Sequence, residues 1–168
     1  GGERLWLAPY LRETDFSKAL QKLGTDTVYA DITQNEAYPH DAQLNIAAFG
    51  RTFFYSPKAS YPPIVEYLTS VGDMQPLSIK QGYAKCSALI VDERSIISQD
   101  RGLTRAAAAA GLDVLQISPG HVALDGFEYG FLGGAGFRIS RDKLCFTGVL
   151  DEHPDKGRIL DFLSARCI

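Results

Sequence analysis

The chain has 168 residues, a length that suits a single domain over 1–168, because each of two halves would be too small to bury a good core. Apolar residues make up 45% and charged residues 22%, which excludes wholesale disorder, and no apolar run approaches the roughly 18 residues of a membrane span. A net charge of −3 argues against a broad nucleic-acid surface, which wants clustered Lys and Arg.

A strand is expected at Arg4 to Leu7, followed by a helix over Thr14 to Leu23, Gly24, and a strand around Thr27-Val28-Tyr29. Leu44 to Phe49 and Thr52 to Tyr55 read as a hairpin turning at Gly50. The next helix is Pro63 to Val71, then Gly72 and the strand Leu77-Ser78-Ile79. Ser87 to Val91 and Ser95 to Ser98 form a second hairpin, with a helix over Gly102 to Ala110, Gly111 and the strand Val114 to Ile117 behind it. Gly136 to Ile139 and Lys143 to Thr147 form a third, and Asp155 to Leu163 is the last helix, with Pro154 in its first turn. The helices carry narrow apolar stripes: Phe16, Leu20 and Leu23; Ile64, Leu68 and Val71; Leu103, Ala107 and Ala110. Gly24, Gly72 and Gly111 each stand where a helix C-cap needs a left-handed residue.

The order strand, strand, helix, strand recurs at roughly 40 to 50 residues, a period that points to a propeller or array in the α/β class. The first unit has only the Arg4 to Leu7 strand before its helix and the last has little room for a strand after Leu163, leaving about three and a half ββαβ modules. Open strand edges at the two ends are templates for pairing, so a homodimer or an assembly module is one expectation. Three cysteines, Cys86, Cys145 and Cys167, form neither a disulfide framework nor a paired zinc motif, so a cytoplasmic protein without metal or cofactor is expected.

Three stretches resemble a bacterial family of unknown function: Tyr38-Pro39-His40-Asp41 leading to Asn45-Ile46-Ala47, Lys80-Gln81-Gly82-Tyr83-Ala84-Lys85-Cys86-Ser87, and Tyr129-Gly130-Phe131-Leu132-Gly133-Gly134-Ala135. That resemblance runs from Leu5 to Leu163, and the family's members look longer at the N-terminus. The module plan is similar to the pentein superfamily of guanidine-modifying enzymes, which implies an incomplete α/β propeller with a ligand site at its centre. Penteins use a cysteine nucleophile, a histidine acid/base and carboxylates that hold a cationic substrate. Phe137 stands after the glycine-rich stretch where the resemblance places the thiol, and Tyr83 stands in the region of the imidazole. Both replacements imply a protein without the standard guanidine chemistry.

The candidate site residues come from equivalent places in successive modules. Asp41 is either an acceptor for a polar or cationic ligand or a turn residue. Asn45, inside an apolar strand pattern, either binds ligand or makes a structural pair. Tyr83, Lys85, Gly133 and Gly134 complete the ligand-binding set. Cys86 beside Lys85 is a candidate nucleophile for an amidine or amide, although neighbours on a strand point to opposite faces. His121 lies on a loop, where binding residues concentrate but solvated histidines are common. The glycines at 130–136 precede a strand and not a helix, which favours close backbone approach over phosphate binding.

Overall fold

β-Branched and aromatic stretches form the strands, and their hydrogen bonds close within four separate small sheets. The structure, a computed structural model, describes residues 4–33, 37–70 and 72–168. β1 (Arg4–Leu7) lies parallel to β2 (Asp26–Tyr29), with α1 (Asp15–Lys22) as the crossover. β3 (Ala47–Phe49) and β4 (Thr52–Tyr55) form a hairpin, and α2 (Pro62–Ser70) returns the chain to β5 (Gln75–Ser78), parallel to β4. The third unit repeats this plan after the single turn α3 (Ala84–Ser87): β6 (Leu89–Ile90), β7 (Ser95–Ser98), α4 (Arg101–Ala109) and β8 (Asp113–Gln116). β9 (Gly136–Ser140) pairs antiparallel with β10 (Lys143–Phe146), and α5 (Lys156–Ser164) follows. Two modules are therefore complete, the first has no opening strand and the last no closing one among the described residues. No helix among these residues is long and apolar enough to cross a membrane.

Helix starts follow side-chain chemistry. Thr14 Oγ1 accepts from Ser17 N at 3.2 Å, and Asp100 Oδ1 accepts from Leu103 N at 2.7 Å, each satisfying an otherwise orphaned first-turn donor. Gly24 and Gly111 take the expected left-handed conformation, with φ of 69° and 77°. Gly72 does not: the left-handed residue there is Asp73, at φ 48°. Glycine at 72 answers a different need, since a Cβ there would stand 2.8 Å from the Leu68 carbonyl oxygen.

Two apolar clusters share β7. Ile96 faces one with Phe54, Ala84 and Leu103, while Ile97 faces the other with Leu89, Leu132 and Ile159. All four residues of β7 are buried, as a strand covered on both faces requires. The last helix is clasped to the third module by Arg166. Its Nε donates to Ser95 Oγ at 2.6 Å, one terminal nitrogen reaches Asp113 at 3.1 Å, and the guanidinium lies 3.6 Å from the Phe162 ring centre.

Several expectations change. Phe16 and Leu23 are 53% and 79% exposed, and the buried position of α1 is Ser17, because a two-stranded sheet is too narrow to cover a full stripe. Val71 lies outside the described residues. Asn45 is not in a strand; β3 starts at Ala47, and Asn45 N donates to Ala42 O at 2.9 Å in the preceding turn. The expected strand at Ser87 begins only at Leu89, the residues before it being the helical turn α3. Pro154 precedes α5, whose N-cap is Asp155.

Candidate functional site

The turn 40–42, a 3-10 helix, carries Asp41, and the chain enters it through a cis Tyr38-Pro39 bond. Asn45 follows it, and α3 of the next module brings up Lys85 and Cys86 with Tyr83 at its N-cap. Tyr83 provides no side-chain cap, so the first N–H groups of α3 need an acceptor from elsewhere. Asn45 supplies it. Its Oδ1 accepts from Lys85 N at 2.7 Å and Cys86 N at 3.1 Å, and its Nδ2 donates to Cys86 Sγ at 3.0 Å. One carboxamide thus pins the second module to the third.

The fourth module joins through its glycines. Lys85 Nζ donates to Gly133 O at 2.9 Å. A Cβ at Gly133 would lie 2.5 Å from the Ala88 carbonyl carbon and 2.7 Å from Cys86 O, so the backbone approach itself demands glycine. A Cβ at Gly134 would stand 3.9 Å from Cys86 Sγ. Burial lowers the Lys85 pKa below its ordinary value, and the nearby Cys86 partly offsets this.

Tyr83 and Asp41 form the outer part. The phenol donates to Asp41 Oδ2 in a short hydrogen bond. That bond, then burial, pushes the Tyr83 pKa up to about 12. Tyr83 also stands in a row of rings, 5.9 Å from Tyr38 and 6.3 Å from Phe131. Gly82 makes room for the first of these, because a Cβ there would come within 2.5 Å of the Tyr38 ring. Asp41 and Tyr38 are both exposed.

Asp41, Asn45, Tyr83, Lys85, Cys86, Gly133 and Gly134 therefore meet where three modules join. His121 does not belong to this group; its ring lies 5.2 Å from that of His153. Sequence reasoning missed Tyr38, Gly82 and Phe131 as parts of the site, although all three lie in the motif stretches. Their signal was two aromatics and a glycine flanking polar residues, which local patterns cannot tell from turn and core residues. Among the described residues, the hydrogen-bond partner of Cys86 Sγ is an amide and not an imidazole. No group of three or more metal-ligating side chains comes together among them.

The ββαβ units and their convergent polar junction define a mixed α/β domain with a pentein-like fold. The chain is similar to agmatine deiminase from C. jejuni, with a TM-score of 0.58 at 13% identity over 96% of this chain and 56% of that one. A cysteine-to-serine variant of the same enzyme with substrate bound gives 0.56 at 12% identity, over 96% and 59%. The chain thus spans less than two thirds of the deiminase, and at this identity the likeness shows the fold alone. By sequence, the chain belongs to DUF6873, a family of unknown function whose model matches residues 3–168. No curated protein matches it.

Proposed function

We propose that this domain binds a small organic cation at the junction of its modules, which stand as an incomplete propeller around that point. The observation that carries the reading is the Asp41 carboxylate beside the Tyr38–Tyr83–Phe131 row. A carboxylate supplies the counter-charge, and aromatic faces attract a cation through their quadrupoles. The deiminase that shares the fold acts on agmatine, a guanidinium compound, which supports a ligand of this class. On this reading the domain binds without hydrolysing guanidine, since Phe137 and Tyr83 stand where the resemblance places thiol and imidazole.

Calorimetric titration with agmatine, against butylamine and acetate, tests it. Agmatine should bind best, and Asp41→Asn should weaken it at least about tenfold, the loss expected for one charge-assisted contact. Equal binding by acetate, or an unchanged affinity in the variant, overturns the proposal.

A second reading, a Cys86-dependent hydrolase or transferase, draws on the Asn45 amide against the sulfur and the adjacent ammonium. Iodoacetamide should then label Cys86 much faster than Cys145 or Cys167, and ammonia release from agmatine should vanish in Cys86→Ala. Equal labelling rates remove this reading.

A further inference from the structure

A recess of about 600 Å³ opens between the loop after β8 and the loop joining β10 to α5. Its size falls within the roughly 300–1,000 Å³ usual for small-molecule sites. None of the residues at the three-module junction lines it, so it is a separate place in the fold. His153 forms part of its wall and is only 7% exposed. The Nδ1 of His153 accepts a hydrogen bond from Asp155 N at 3.0 Å. A neutral imidazole that accepts at Nδ1 carries its proton on Nε2. That Nε2 is buried and has no hydrogen-bond partner among the described residues, a state that costs a donor its solvation without return. Burial first, and then the neighbouring His121, hold the His153 pKa below its ordinary value against an opposing pull from Asp155, so the surroundings favour the neutral ring.

The tautomer narrows the ligand chemistry. A protonated Nε2 has no lone pair for a metal ion, and what it calls for is an acceptor oxygen. The wall also carries the carboxylates of Glu128 and Glu152 and no lysine or arginine. An anionic acceptor would meet like charge there, whereas a neutral carbonyl attached to a cationic nitrogen satisfies both kinds of group. Leu132 and Phe146, part of the apolar cluster behind the recess, offer a surface for a carbon skeleton.

We infer that this recess binds a small α-amino amide, its carbonyl accepting from His153 Nε2–H and its ammonium facing Glu128 and Glu152. The experiment is an NMR titration of the 168-residue chain at pH 7, following the imidazole nitrogens of His121 and His153. The probes are glycinamide, acetamide, ethylamine and acetate. Glycinamide should move the His153 signals at a concentration at least about tenfold below that needed with either half-molecule, as one extra charge-assisted contact implies. The spectrum should also report an Nε2–H tautomer for His153. Removing His153 also removes the acceptor for Asp155 N–H, so the test variant is the exposed pair Glu128→Gln with Glu152→Gln. In that variant the advantage of glycinamide over acetamide should disappear. An Nδ1–H tautomer, a response to acetate equal to that of glycinamide, no movement of His153 with any probe, or an undiminished advantage in the double variant each overturns the inference.

Discussion

The phenol of Tyr83 donates to Asp41 and is held in its protonated form to about pH 12, against an ordinary value of 10.0. A group whose folded pKa is raised adds stability below its unfolded value and loses that contribution as pH rises through the folded one. The stability that this bond supplies should therefore be intact at neutral pH and fade between about pH 10 and 12. Phenolate absorbance of the wild type minus that of Tyr83→Phe isolates the group. A difference curve centred near 12 is expected, and one centred at the ordinary value would show that the Asp41 bond is not made in solution. Lys85 shows the opposite response to a similar place in the fold. Burial penalises its charge, and the Gly133 carbonyl then becomes the fixed partner of a partly desolvated ammonium.

Elements differ in how well the sequence announces them. Thr14 and Asp100 mark helix starts through their own side chains, and the helix–strand units behind them follow from local pattern alone. Ser87, the last residue of the turn Ala84–Ser87, reads as the beginning of a strand because Ala88 to Val91 is apolar and β-prone. What makes the preceding residues helical is Asn45, some forty positions away, whose Oδ1 takes the N–H groups of Lys85 and Cys86. Information at that distance is invisible to a local reading. The same fact explains the site: that Asp41, Asn45 and Cys86 share a location followed from the module repeat, but their bonds to one another did not. His121 stands apart from this junction for a related reason, since a loop histidine takes its place from its neighbour, here His153. Gly133 tests the element-level packing. An added methyl would meet the Ala88 backbone, which cannot swing aside as a side chain can. Gly133→Ala should cost about 1–3 kcal/mol, in the range for overpacking, as measured by urea unfolding. Gly148→Ala, where nothing lies within 4 Å, should leave the midpoint nearly unchanged. Equal midpoints for the two variants would contradict the close approach.

Across the whole molecule, two classes of contact hold the chain. Strand pairing is short in sequence: Arg4 opposes Asp26, Thr52 opposes Gln75 and Ser95 opposes Asp113. The joins between modules are long, at 41 residues for Asn45 to Cys86, 48 for Lys85 to Gly133 and 71 for Ser95 to Arg166. Closing a longer loop costs more entropy, so each sheet can form before the module junctions do. The junctions then belong to the late, downhill side of the folding barrier. Asn45→Ala and Arg166→Ala should accordingly hasten unfolding while leaving the refolding rate close to that of the wild type. Stopped-flow chevrons read both limbs, and a slowed refolding limb in either variant would place its junction in the nucleus. A carboxamide and a guanidinium would then act as latches on the lifetime of the native state, setting how long the assembled modules stay shut and not how quickly they find one another.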